Sequence, residues 1–206
     1  MSGKLLISTA YLPPIEYFVL IHGTDEVMIE REENYLKQTY RNRCYILSAS
    51  GLQVLTVPVY LGSFHKTPVK NIRIDYSKRW QQVHLRAINT AYRSSPFFEF
   101  YFEEIEKIIV QKHEFLIDMN KELTEVLLKI LGIKRSIGFT NSFVPVSEAK
   151  NDVRYSITPK KKSIYVIKEY PQVFNINAGI LSRLSIIDLI FNMGPESIHY
   201  LNGFMV

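Results

Sequence analysis

The chain has 206 residues, of which 47% are hydrophobic and 22% are charged, and its formal net charge is +5. This balance excludes a disordered chain and predicts a single domain over 1–206, with 133–206 as a candidate C-terminal subdomain packed on it. The chain has 25 basic and 20 acidic residues, so the basic excess is modest and does not predict nucleic-acid binding.

The N-terminal apolar run is about five residues long, which is too short for a signal peptide or a membrane span. We therefore expect a cytoplasmic protein without a membrane span. The single cysteine, Cys44, excludes an intramolecular disulfide. A buried structural thiol is the favoured interpretation of Cys44, with a nucleophile as the alternative.

The first elements predict an α/β fold with a mostly parallel sheet at the N-terminus. "KLLIST" has the pattern of a buried strand, "PIEYFVLIHG" that of a helix ending at Gly23, and "EVMIE" that of a second strand. In such folds ligands bind at the carboxyl ends of the strands, which places Tyr11 at the predicted rim. No glycine-rich phosphate loop follows the first strand.

The next segments predict more strands and then helices. "GLQVLTVPVY" and "VKNIRID" are β-forming runs expected to extend the same sheet. Helical spacing then predicts three consecutive helices between Ser77 and Gly132, with Ser77 as the first cap, and these helices should cover one face of the sheet. "GILSRLSIIDLIFNMGP" predicts an apolar C-terminal helix that packs back on the domain.

A polar stretch, "ENYLKQTYRNRC", interrupts this apolar chain. Its amide and cationic side chains are suited to holding a phosphate or carboxylate, which makes ligand-binding candidates of Asn34, Lys37, Arg41, Asn42 and Arg43. The alternative is a charged surface in which these cations pair with Glu30, Glu32 and Glu33.

One histidine has the position of a candidate catalytic group. His84 shares the predicted inner face of the first long helix with Trp80, and could act there as a general acid or base or could be structural. Tyr92 and Arg93 follow about two turns later and are further ligand candidates. No cofactor or metal site is predicted, because no two histidines form a close ligand pair among His22, His65, His84, His113 and His199.

The chain resembles the WbqC-like family of bacterial proteins over nearly its whole length. The most specific elements are Asn-Tyr-x-Lys and Asn-Arg in the polar stretch and Trp-x-x-x-His at Trp80 and His84, followed by "QVF" and "LSIIDLIFNMGP". The N-terminal element departs from the family pattern, since Thr9 and its neighbours replace a Gln-Pro pair and Glu16 lies where a Trp-Leu-Gly run is usual.

The resemblance implies a setting in surface-polysaccharide biosynthesis and a small anionic ligand such as a nucleotide sugar. A transferase that modifies the linked sugar, by acyl or aminoacyl transfer, is the leading hypothesis. A non-catalytic protein that binds the same ligand is the first alternative. A nucleic-acid-binding protein is the second, although the spacing of basic and aromatic residues does not support it. The oligomeric state is not predicted.

Overall fold

The predicted mixed α/β fold is confirmed by a computed structural model, which describes residues 3–60, 66–146, 151–163, 165, 167–174 and 178–202. The first strand, β1 (Lys4–Ile7), is buried along Leu5, Leu6 and Ile7. Helix α1 (Ile15–His22) begins after Pro14 and ends at Gly23, as the sequence predicted. Proline suits this position because its fixed backbone angle and missing N–H cost nothing at a helix start.

The parallel sheet has the order β1-β2-β5, with β2 at Glu26–Ile29 and β5 at Ile137–Phe139. Val27 of β2 lies opposite Leu5 on one side and Ile137 on the other. Gly138 gives room to the neighbouring strand, since a Cβ atom there would lie 2.7 Å from Sδ of Met28. A larger residue at 138 would therefore push on the Met28 side chain.

The prediction that "QVLTVPV" joins this sheet is wrong. The run forms β4 (Gly51–Thr56), which pairs antiparallel with β3 (Arg43–Ser48) in a separate two-stranded sheet. Only two residues separate β3 from β4, and a connection that short joins antiparallel neighbours, whereas parallel strands need a long crossover. The predicted strand "VKNIRID" is also wrong, because Val69–Asn71 is a 3-10 helix with isolated bridges after it.

The three predicted central helices are confirmed as α2 (Trp80–Tyr92), α3 (Phe98–Val110) and α4 (Leu116–Ile130). Each one buries an apolar stripe at helical spacing. The prediction that Ser77 caps α2 is wrong, because the helix begins three residues later and its N-cap residue is Arg79. The Ser77 backbone N–H instead donates to Asp75 Oδ1 at 2.8 Å.

The C-terminal helix α5 (Ile186–Met193) packs back on the N-terminal part, as predicted, and is followed by the short α6 (Ser197–Asn202). Ser185 caps α5, and Phe191 contacts the rings of Tyr92 and Phe98 with centroids 5.4 and 5.1 Å away. The described parts of the chain contain no helix with the length and apolar character needed to cross a bilayer.

Asp188 is the buried acid on this apolar helix, and its carboxylate is held by three donors. The hydroxyls of Tyr92 and Tyr170 donate to it at 2.8 and 2.7 Å, and the Gln172 amide donates at 2.6 Å. The Tyr92 hydroxyl in turn accepts the Leu47 N–H at 3.1 Å. Burial raises the pKa of Asp188, while these donors oppose that rise. One carboxylate therefore ties α2, β3, α5 and the segment around Tyr170 together.

We expect Asp188→Asn to lower the free energy of unfolding by about 1–3 kcal/mol, because an amide places its own donor against groups that already donate. Urea denaturation of the wild-type and variant proteins measures this loss. Asp25→Asn, at an exposed position, is the matched control and should change little. An Asp188→Asn protein as stable as the wild type would show that the three donors do not depend on the carboxylate.

Candidate functional site

A narrow cleft opens at the carboxyl end of β1. It encloses about 260 Å³ of empty space, part of it open to solvent. The residues that line it come from β1 and the turn after it, from α1, from the end of the polar stretch and from the segment after β5: Ile7, Ser8, Thr9, Ala10, Tyr17, Tyr40, Arg41, Val153, Arg154 and Ile157. This is the edge of a parallel sheet at which α/β proteins bind ligands.

Arg41 is a buried wall of the cleft and forms an ion pair with the buried Glu33. Its Nη2 lies 2.7 Å from both carboxylate oxygens of Glu33, and its Nε lies 3.1 Å from one of them. The same guanidinium donates to Ser8 Oγ at 2.7 Å and to Thr39 Oγ1 at 3.2 Å. Burial raises the pKa of Glu33, and the charge of Arg41 opposes that rise.

Arg154 is the second buried guanidinium in the cleft wall. It pairs with Asp152 through two hydrogen bonds of 2.9 and 2.6 Å and with Glu30 at 3.2 Å. Glu30 also accepts hydrogen bonds from the Thr140 hydroxyl and from the backbone N–H groups of Glu32 and Val144. The two arginines, Glu30, Glu33 and Asp152 together form the ion network, which joins the ends of β1 and β2 to the segments after β5.

The ion network has three carboxylates and two guanidiniums, so its formal charge is −1. Arg41 is therefore not the uncompensated cation that the polar stretch suggested. The reason is its burial, since removing a guanidinium from water is too costly without a paired carboxylate. Within the described residues, each guanidinium uses four of its five N–H donors, which leaves one Nη1 hydrogen on each.

Behind the cleft, Tyr11 and His84 form a buried pair with 2.9 Å between the Tyr11 hydroxyl and His84 Nδ1. The Trp80 ring packs on both, with centroids 6.5 Å from Tyr11 and 5.1 Å from His84. Burial lowers the pKa of His84 to about 4, and a hydrogen bond to the Thr56 backbone partly opposes that change. His84 is therefore neutral at pH 7. Because the ring donates to Thr56, Nδ1 is left to accept from Tyr11.

The other predicted ligand residues are distributed over several environments. Asn34, Lys37 and Arg93 are exposed, and Tyr92 belongs to the Asp188 cluster rather than to the cleft. Asn42 is buried, and its amide donates to the Val57 carbonyl at 2.8 Å. The structure thus joins Tyr11 to His84 directly and places Arg41 in the cleft wall, but it shows no contact between the exposed cations and His84.

Three residues of the polar stretch carry buried polar atoms without a hydrogen-bond partner among the described residues. These atoms are the hydroxyl of Tyr40, Oδ1 of Asn42 and Nε of Arg43. Buried polar groups are normally satisfied, and exceptions concentrate where a ligand or water binds. The Asn-Arg element therefore has one acceptor and one donor that no described residue matches.

Sequence reasoning missed Ser8 and Arg154. Ser8 directly follows β1, so the rule that ligands gather at strand ends could have indicated it. Arg154 lies 124 residues from its partner Glu30 in the sequence, and no local pattern marks such a pair. The favoured interpretation of Cys44 is confirmed, because the thiol is buried and burial raises its pKa.

Comparison with known proteins identifies the family. The profile of the WbqC-like protein family matches residues 9–168. The chain belongs to the WbqC-like protein family. An uncharacterized protein of Mycobacterium tuberculosis, Rv1507c, is 27% identical and aligns over 98% of each chain. No solved structure matches the chain significantly.

The part of this WbqC-like chain matched by the family includes both arginines of the ion network and the Tyr11–His84 pair. Helix α5 with Asp188 lies beyond it. Within the described residues, no three histidine, cysteine, aspartate or glutamate side chains are arranged to hold a metal ion. His65 lies outside the described residues.

The lowered pKa of His84 predicts a pH-dependent stability. The unfolded chain takes up a proton at His84 near pH 6.5, and the folded chain does so only near pH 4. The contribution of neutral His84 to the free energy of unfolding is therefore complete above pH 6.5 and is lost as the pH falls toward 4. The loss from this group is about 3 kcal/mol. Urea denaturation between pH 7.5 and 4.5 should show it in the wild-type protein.

In His84→Gln this part of the pH dependence should be absent, whatever the stability of the variant at pH 7.5. His199→Gln, at an exposed position, is the control and should keep the wild-type slope. Equal slopes in wild type and His84→Gln would contradict a neutral, buried His84.

Proposed function

We propose that this WbqC-like protein binds a nucleotide-linked sugar at the cleft and acts as a transferase that modifies the sugar, by acyl or aminoacyl transfer, in surface-polysaccharide biosynthesis. The observation that carries the proposal is the pair of buried guanidiniums in the cleft wall, each with one Nη1 hydrogen that none of the described residues accepts. Ser8 and Thr9 add hydroxyls to the same wall. Such fixed donors and acceptors suit the hydroxyls of a sugar.

The anionic part of the ligand has its own candidates in the polar stretch. Because Arg41 is already neutralised by Glu33, the phosphates are assigned to Lys37 and Arg43 instead. Lys37 lies in a turn closed by the Thr39 hydroxyl, which donates to the Leu36 carbonyl at 2.8 Å. Thr39 also accepts from Arg41, which ties this turn to the cleft wall. Arg43 contributes its unpartnered Nε.

His84 has two roles open to it within the proposal. Acyl transfer to an amine or hydroxyl needs a base that takes the proton of the acceptor, and neutral His84 has the right protonation state. Its ring is buried and Nδ1 is occupied by the Tyr11 hydroxyl. This packing favours a positioning role, in which His84 fixes Tyr11 and, through it, the cleft residue Ala10.

A non-catalytic protein that binds the same ligand is the second candidate. It is favoured by the pairing of the acids in the ion network, because Glu33 and Asp152 both bond arginines and Glu30 accepts four hydrogen bonds. The oxygens of these carboxylates are therefore already bonded to donors of the protein itself. Binding without turnover would then be the whole function.

Product formation separates the two candidates. The purified protein is incubated with UDP-, dTDP-, GDP- and CDP-linked amino sugars together with acyl and aminoacyl donors, and mass spectrometry scores a mass added to the sugar. Thermal shift measured on the same samples scores binding alone. A ligand-induced shift without product supports the binding protein, and the absence of both removes the nucleotide sugar from consideration.

We expect Lys37→Ala and Arg43→Ala each to weaken binding of the nucleotide sugar found in that panel by about 1–3 kcal/mol, the range for losing a charge-assisted hydrogen bond. Isothermal titration calorimetry measures the affinities. Lys37 is exposed, so its replacement should leave the unfolding midpoint nearly unchanged. Lys112→Ala, an exposed lysine between α3 and α4, is the control. Wild-type affinity in both variants would remove the polar stretch from the site.

A further inference from the structure

Two partly exposed aromatic side chains lie against Arg154 at the cleft. The guanidinium carbon of Arg154 is 5.4 Å from the ring centre of Phe143 and 5.6 Å from that of Tyr155. Phe143 nevertheless remains 50% exposed and Tyr155 38% exposed. Each ring therefore contacts a buried cation of the cleft wall and still offers aromatic surface to solvent.

The backbone next to both rings is fixed by the ion network. The N–H of Val144, which follows Phe143, donates to Glu30 Oε2 at 2.8 Å, and its carbonyl accepts from Arg154 Nη2 at 2.8 Å. Tyr155 directly follows Arg154, whose guanidinium is held by Asp152. Aromatic surface on backbone that is already ordered binds a ligand with a small entropic cost.

The cleft is too small for a whole nucleotide sugar. Its empty space is about 260 Å³ even when the part open to solvent is counted, so most of such a ligand would lie outside it. If the sugar occupies the polar cleft, the remainder of the ligand must lie on the surface beside it. Phe143 and Tyr155 are exposed aromatic residues in contact with Arg154, which lines the cleft.

The contacts with Arg154 hold both rings beside the cleft wall, and each ring still has aromatic surface in water. A flat π-system covers such a surface well, because stacking needs no particular donors or acceptors. We infer that Phe143 and Tyr155 form a stacking platform for the nucleobase of the ligand. This inference rests on the proposed function for the identity of the ligand and adds where its base is held.

Nucleotides without a sugar test the platform separately from the transferase. The probes are the 5′-monophosphates of uridine, thymidine, cytidine and guanosine, the four corresponding nucleoside diphosphate glucoses, and glucose 1-phosphate, each titrated by calorimetry. The variants are Phe143→Ala, Tyr155→Ala and Tyr155→Phe. The matched control is Phe100→Ala, an exposed aromatic position on α3.

At least one monophosphate should bind the wild type, and Phe143→Ala and Tyr155→Ala should each weaken it roughly 5- to 150-fold, as for the loss of one base–aromatic stack. Tyr155→Phe keeps the ring and should bind within about twofold of wild type, and so should Phe100→Ala. Glucose 1-phosphate lacks a base, so its affinity should not respond to any of these changes.

Three results would overturn the platform. In the first, the wild type binds no monophosphate, and in the second, both alanine variants bind the monophosphate as tightly as the wild type does. In the third, the alanine variants lose as much affinity for glucose 1-phosphate as for the monophosphate. The last result would place the sugar on the rings. Monophosphate binding that depends on the rings, without any nucleotide-sugar product, supports the platform and defeats the transferase. Nucleotide-sugar turnover that is unchanged in both alanine variants supports the transferase and defeats the platform.

Discussion

Five buried charged side chains at the edge of the parallel sheet impose the main constraint on this structure. Glu33 and Arg41 neutralise one another, and Glu30 and Asp152 hold Arg154. Removing one member would leave an unpaired charge in a buried site, which typically costs roughly 3–5 kcal/mol. The segments that carry these groups, at residues 30–41 and 152–154, and the segment 140–144 that bonds to Glu30 and Arg154 are therefore fixed relative to one another.

The same constraint gives the cleft its chemical character. Carboxylates neutralise both guanidiniums, so the cleft wall is polar without a strong positive charge. That favours recognition of a polar, uncharged ring and leaves phosphate to cations outside the ion network. A buried network also holds its geometry without a ligand present, as precise recognition requires.

The sequence predicted those features that depend on local pattern. Helical spacing of apolar residues and residues typical of helix ends were sufficient to predict α1, the three central helices and α5. Each of these helices has an apolar stripe and a proline, serine or glycine near an end. The local sequence of a strand does not specify which strand it pairs with, so β4 was assigned to the wrong sheet. Of the predicted ligand residues, Arg41 lies in the wall of the cleft, whereas the position of Arg154 depends on a contact across 124 residues that no local pattern marks.

The central claim is that a nucleotide sugar binds against the two buried arginines through the Nη1 hydrogens that no described residue accepts. Nitrogen-15 NMR of the arginine side chains tests it most directly, because buried, hydrogen-bonded guanidinium protons exchange slowly with water. On titration with UDP-, dTDP-, GDP- and CDP-linked sugars, the guanidinium signals of Arg41 and Arg154 should shift together for at least one compound. Binding that leaves both signals unchanged, or that shifts only exposed cations such as Arg93, would contradict the claim.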